Sequence, residues 1–182
     1  MRIVVGITGA SGVQYAHALL RNLRGHDVDL VISEDAKKVI AHETDVTATD
    51  LAKLATHAYA NDDTAAPPSS GSYRFDAMVV VPCSMGTLGK IAWGISDNLI
   101  TRAAAVTLKE KRKLILVPRE TPLAATHLEN LLRLANQGAV VLPAMPGFYH
   151  RPETTDDLVN FVVGKVLDQL GIEHALFARW GA

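Results

Sequence analysis

The chain carries one cysteine, Cys83, in 182 residues. That excludes an internal disulfide and any multi-cysteine metal centre. No apolar run approaches the ~20 residues that a membrane-spanning helix needs. Met1-Arg-Ile-Val-Val opens directly into a strand pattern, which leaves no room for a signal peptide. An excess of one charge is missing as well: 18 Lys and Arg against 19 Asp and Glu give a net charge of −1. The charges are interspersed, so no extended nucleic-acid footprint is expected. His42, His127 and His150 share no metal-ligand spacing, and no metal is expected. Internal repeats and coiled-coil heptads are absent. What is present is a 48% hydrophobic chain, which predicts one domain over residues 1–182 and a soluble cytoplasmic protein.

The apolar residues fall into alternating strand and helix patterns. Arg2–Ile7 reads as a strand, Gly9–Gly12 as a turn and Val13–Leu23 as a helix. Val28–Ile32 is a second strand, and a helix follows over Asp35–His42. Residues 44–72 are polar and Thr/Asp/Ala-rich, ending in Ala-Pro-Pro-Ser-Ser-Gly-Ser, and read as a partly ordered excursion. Then come strand 77–81, helices 86–92 and 98–109, strand 113–117 and helix 124–136. Gly138 precedes strand Ala139–Leu142, and a last helix over Thr154–Leu170 stops at Gly171. Strands alternating with helices predict an α/β protein: a three-layer flavodoxin-like or Rossmann-like fold with a central parallel sheet. In such sheets ligands sit beyond the carboxyl ends of the strands. Gly9–Gly12, Ser33, Cys83–Thr87, Arg119–Glu120 and Pro143–His150 are therefore the candidate segments.

The tract Ala77-Met-Val-Val-Val-Pro-Cys-Ser-Met-Gly-Thr87 reads as a buried strand feeding a helix N-terminus, where unpaired N–H groups collect. The first turn, Gly6-Ile-Thr-Gly9-Ala10-Ser11-Gly12, is not Gly-x-Gly-x-x-Gly, and strand two ends in Ser33 rather than a clean ribose-binding acid. Both points disfavour a nicotinamide dinucleotide. Lys90 lacks Walker A spacing. Hydroxyls at Ser11, Ser33, Ser84 and Thr87 suit a mononucleotide phosphate and a ribityl chain, and make flavin mononucleotide (FMN) the best single ligand. Ser11 alone reads equally well as a helix N-cap.

Arg102 and Lys109 stand seven apart, two turns along one helical face. Arg119-Glu120 directly follows a buried strand, Lys165 is isolated in an apolar helix, and Tyr149 lies in Pro-Gly-Phe-Tyr-His. Converged, these groups would bind a compact phosphate and stabilise it as it leaves. Singly, Lys109 reads as part of a solvated Lys-Glu-Lys-Arg-Lys run and Lys165 as a snorkelling side chain. Cys83 reads as a small buried hydrophobe. Glu43 is a surface acid or a proton donor near the ligand edge, and Trp180 packs on its own subunit or reaches a neighbour's site.

In order along the chain stand Gly9-Ala-Ser-Gly, Glu43-Thr-Asp, Ser70-Gly-Ser, Pro82-Cys-Ser, Asn98-Leu-Ile-x-Arg-Ala-Ala, Leu108-Lys-Glu-x-Arg, Pro118-Arg-Glu-Thr-Pro-Leu and Pro146-Gly-Phe-Tyr-His-Arg-Pro. On these residues the chain closely resembles the UbiX-type flavin prenyltransferases over essentially its whole length. The resemblance implies a flavodoxin-like fold and a homododecamer. It implies transfer of a dimethylallyl group from dimethylallyl monophosphate to N5 and C6 of reduced FMN, and delivery of prenylated FMN to a partner decarboxylase, in ubiquinone synthesis or aromatic-acid breakdown. Matched positions imply that Gly9, Ala10, Ser11, Ser33, Ser84, Met85, Gly86, Thr87 and Arg119 hold the flavin. Arg102, Lys109, Tyr149 and Lys165 would hold the prenyl phosphate; some relatives carry arginine at the last position. Glu43 and Glu120 would assist phosphate departure and proton transfer, with Ser11 near the flavin and Trp180 closing the prenyl pocket.

No Asp-Asp-x-x-Asp motif is present, since Asp62-Asp63 and Asp156-Asp157 both lack the third acid, which agrees with a monophosphate donor held by protein cations. The nearest alternative is an FMN-dependent decarboxylase of the phosphopantothenoylcysteine type. Those enzymes typically carry Pro-Ala-Met-Asn where this chain reads Pro143-Ala-Met-Pro146. A flavodoxin-like electron carrier is a further alternative, but such carriers show a strongly acidic docking surface.

Overall fold

The computed structural model describes residues 1–181. Six strands, β1 (Arg2–Ile7), β2 (Asp27–Ile32), β3 (His57–Ala60), β4 (Ala77–Cys83), β5 (Lys113–Pro118) and β6 (Val140–Val141), form one sheet. Their order is β3-β2-β1-β4-β5-β6, and every pairing is parallel. Seven α-helices connect them: α1 (Val13–Asn22), α2 (Glu34–Glu43), α3 (Ala48–Ala52), α4 (Met85–Ala92), α5 (Leu99–Lys109), α6 (Ala125–Asn136) and α7 (Thr155–Leu170). The expected elements lie within a residue or two of these bounds. The α/β parallel-sheet expectation holds.

The central strands β1, β2, β4 and β5 are buried on both faces because apolar residues fill nearly every position along them, not only alternate ones. Ile3, Val5, Ile7, Val79 and Val81 pack toward α1 and α7, while Val4, Met78 and Val80 pack toward α4 and α5. Each such side chain contributes about 1.5–3 kcal/mol when fully removed from water.

Residues 44–72 depart from the expectation. Thr47 and Asp50 form a capping box that starts α3, and His57–Ala60 adds an edge strand beside β2. The order comes from partners far away in sequence. Asp29, fully buried on β2, accepts a hydrogen bond from the Tyr73 hydroxyl at 2.9 Å and lies 3.2 Å from His57 Nδ1. The Arg112 guanidinium donates to the carbonyls of Tyr73 and Gly71 at 2.9 and 2.7 Å and stacks 4.4 Å over Phe75. Arg112 belongs to the charge run that reads as solvated; here it is a staple.

The strand order reverses beside β1, where the chain crosses from β3 at one edge to β4. This topological switch point opens a crevice beyond the carboxyl ends of β1 and β4.

Candidate functional site

Thr8 joins the two loops at the switch point. Fully buried, it donates its hydroxyl to the Pro82 carbonyl at 2.8 Å and accepts from the Ser84 N–H at 2.7 Å. The β1–α1 turn and the start of α4 are thereby fixed to each other. Ser33 caps α2 by accepting from Ala36 N–H at 3.1 Å, and Ser84 caps α4 by accepting from Thr87 N–H at 3.3 Å. The Ser84 hydroxyl in turn donates to Thr87 Oγ1 at 3.1 Å.

These hydroxyls line a cavity of about 310 Å³ bounded also by Gly9, Asn61, Lys90 and Asn98. The N-termini of α2, α4 and α5 end at this edge, and their first-turn N–H groups favour an anion. A Cβ built on Gly86 meets nothing within 4 Å, so open space lies beside the first turn of α4. A Cβ on Gly9 would stand 2.7 Å from Asp35 Cβ, so glycine there lets the first turn lie against α2. Hydroxyl donors, helix N-termini and open space next to them fit a phosphate with a polyhydroxylated chain, as in FMN. Ala10 is buried in the turn, and its N–H bonds the Thr8 carbonyl at 2.9 Å. The Met85 side chain lies in the apolar core, so only its backbone is left for the cavity.

A second group forms beside α1. One Glu43 oxygen accepts from the N–H groups of Gly12 and Val13 at 2.8 and 3.3 Å, and the Arg119 Nε donates to the Ser11 carbonyl at 3.2 Å. Burial pushes the Glu43 carboxyl up. The Ser11 hydroxyl, the two N–H groups and the Arg119 charge outweigh it and leave Glu43 below the usual carboxylate range. Glu43 is therefore ionised at neutral pH and doubles as the cap of α1. Glu120 adjoins Arg119 and accepts from Thr121 N–H at 3.1 Å.

A third group is aromatic and cationic. Tyr149 meets Phe161 and Trp180 edge-on, both at 5.6 Å between ring centres. Trp180 is 83% exposed and Tyr149 47%. Lys165 projects from α7 beside Phe161 along a cleft bounded by Leu142 and Pro143.

The convergence expected of all four phosphate-binding candidates does not occur within one chain. Because α5 runs back against the strands, Lys109 lies at the amino edge of the sheet, against Glu110 and near Gly71. Arg102, one turn into α5, donates to the Ser69 carbonyl at 3.2 Å. Cys83 is fully buried, and desolvation pushes its thiol up to about 12, so it supplies no thiolate at neutral pH. Among the described residues no group of three or more His, Cys, Asp or Glu could hold a metal ion.

Thr8, Asn61, Lys90 and Asn98 line or brace the site without having been singled out from the sequence. Asn61 follows β3, and its post-strand position would have pointed to it had that strand been legible. Asn98 caps α5 by accepting from Thr101 N–H at 3.1 Å, a signal readable from its position before an apolar helix.

The family model described as Flavoprotein matches residues 1–167. The chain is 58% identical to the flavin prenyltransferase UbiX of Thermoplasma acidophilum over 180 residues, covering 99% of this chain and all of that protein. A structure described as a dodecameric FMN-dependent UbiX-like decarboxylase from Escherichia coli O157:H7 superposes with a TM-score of 0.98 at 50% identity, covering both chains entirely. AnUbiX in complex with FMN and dimethylallyl pyrophosphate superposes with a TM-score of 0.97 at 44% identity, over all of this chain and 97% of that one.

Proposed function

Because the chain belongs to the UbiX family of flavin prenyltransferases, we propose that it moves a dimethylallyl group from dimethylallyl monophosphate onto N5 and C6 of reduced FMN. The observation that carries this reading is the hydroxyl-lined crevice at the switch point, flanked by the ionised Glu43–Ser11–Arg119 group. Reduced FMN supplies the nucleophilic positions. Ser33, Ser84 and Thr87 hold its phosphate and ribityl chain at the helix N-termini, and Arg119 pins the Ser11 turn beside it. Tyr149 and Lys165 take the donor's phosphate, whose departure leaves an allylic cation that must be kept from water. The Tyr149–Phe161–Trp180 cluster provides the apolar wall. Glu43 and Glu120 manage protons at the departing phosphate.

Arg102 and Lys109 complete the phosphate site from a neighbouring copy, since their own chain holds them away from Tyr149. A homododecamer of single-domain chains supplies that neighbour, in line with the dodecameric E. coli relative. The product passes to a decarboxylase that uses prenylated FMN. No described helix is long and apolar enough to cross a membrane. Direct FMN-dependent decarboxylation is the second reading. It is disfavoured because Pro146 stands where those enzymes carry asparagine.

Anaerobic incubation with reduced FMN and dimethylallyl monophosphate, followed by mass spectrometry of the released flavin, tests the proposal. A gain of one C5 prenyl unit with free phosphate is expected, and the same yield in EDTA. Unmodified FMN would overturn the transfer, and turnover restored only by magnesium would overturn the protein-cation account.

Ser84→Ala should weaken FMN binding by about 0.5–1.5 kcal/mol, one hydrogen bond. Because Ser84 also caps α4, thermal stability should fall by about 1 kcal/mol. A lowered melting temperature with an unaltered flavin dissociation constant would make Ser84 purely structural.

A further inference from the structure

The segment after α7 folds back along it. Two features make that possible. The first is Gly164, in the middle of α7, where a Cβ would stand 2.5 Å from Phe177 Cε1 and 2.6 Å from His174 Cε1. Glycine in a helix interior costs roughly 1 kcal/mol relative to alanine, so a position that keeps it is trading helix stability for close approach. The second is Asp168, one turn further on. Arg179 Nη2 donates to its Oδ1 at 2.8 Å, Arg179 Nη1 lies 3.4 Å from Oδ2, and Lys165 Nζ lies 3.4 Å from Oδ2. His174 Nε2 stands 3.2 Å from Oδ1, while the Leu176 N–H donates to His174 Nδ1 at 3.2 Å. The Leu176 N–H thus holds the imidazole by Nδ1, while Nε2 faces the Asp168 carboxylate and lies 3.4 Å from Arg179 Nη2. Phe177 fills the space above Gly164, 5.0 Å from Phe161.

One carboxylate thus gathers a lysine assigned to the donor phosphate, a buried histidine and an arginine next to Trp180. We propose that Asp168 is a positioning residue for the prenyl-donor site: it latches the segment 172–180 onto α7, so that Trp180 stands against Tyr149, and it steers Lys165 on the same side. This rests on the reading of Tyr149, Lys165 and Trp180 as the donor site. Asparagine at 168 keeps one acceptor oxygen but loses the charge, and its NH2 group faces donors where the second carboxylate oxygen accepted from Arg179 and Lys165, so the segment's anchor is weakened. A methyl group at Gly164 evicts the same segment sterically and leaves every charge in place.

The test uses Asp168→Asn and Gly164→Ala, each in a Trp93→Phe background so that Trp180 is the sole tryptophan. Trp93 is exposed at the C-terminal side of α4 with its indole on Asn130, and it shares a surface cleft with Lys109, so every comparison is made against the Trp93→Phe parent. Both variants should raise KM for dimethylallyl monophosphate tenfold or more, leave the FMN dissociation constant within about twofold, and lower the anisotropy of Trp180 emission as the segment loses its anchor. Gly164→Ala strengthens helix propensity, so it decides the matter if Asp168→Asn does not fold. KM within twofold of the Trp93→Phe parent in the folded variants, or Trp180 anisotropy that does not fall, overturns the latch. Unsubstituted protein that transfers no prenyl group refutes the functional reading itself, and the latch's catalytic role falls with it.

Discussion

Glu43→Gln is expected to cut prenylated-flavin formation by about a hundredfold or more, the usual scale for loss of a positioned proton carrier, while flavin affinity stays within a few-fold. The amide is nearly isosteric and keeps one oxygen for the N–H groups of Gly12 and Val13, so the first turn holds its shape. What it loses is the charge, and with it the ability to take or give a proton beside the departing phosphate. Single-turnover kinetics with saturating FMN reads the chemical step directly, and an unchanged rate would remove Glu43 from the mechanism. The same carboxylate also carries a pH signature. Its folded-state value lies below the ordinary 4.5. It therefore adds stability that is complete above about pH 4.5 and is lost as pH falls through that lower value. Glu43→Gln should flatten the acid limb of the unfolding curve there.

Gly9→Val should weaken FMN binding by about 1–3 kcal/mol, or roughly five- to 150-fold, the cost of forcing bulk into a packed contact. The first carbon of the new side chain would already stand 2.7 Å from Asp35 Cβ and 3.4 Å from the Asp35 backbone. Asp35 belongs to the first turn of α2, so relief requires α2 to move as a body. That motion carries Ser33 away from Ser84 and widens the crevice between them. Isothermal titration with FMN reads the loss, and circular dichroism separates it from unfolding. Native affinity in a folded variant would show that the flavin does not use the β1–α1 turn.

The parallel sheet and its ligand edge were legible because β1, β4 and β5 are continuous apolar runs, β2 is one broken by Asp29, and β1, β2 and β4 lead into small or hydroxyl residues. Ser33, Ser84 and Thr87 could be placed from that pattern alone, since a residue that follows a buried strand has one edge to occupy. His57-Ala-Tyr-Ala could not be read as a strand, because its outer side is solvent and only backbone pairing with β2 and the buried Asp29 hold it. Helical spacing puts Lys109 on one face with Arg102, but spacing is silent on which end of a helix reaches the crevice of its own chain, and α5 carries Lys109 away from it. The Asp168 cluster was invisible because its members, Lys165, His174 and Arg179, have no common period.

The way residues 44–72 are held has an evolutionary consequence. Their order is set by Asp29, Tyr73 and Arg112, all outside the segment. Within the stretch the constraint is confined to a few positions, the Thr47–Asp50 box, buried Leu51 and Asn61 among them, and much of the rest of its order hangs on side chains outside it. Exposed polar positions in the segment can therefore vary at little cost to the edge strand, whereas a single change at Arg112 removes two backbone anchors at once.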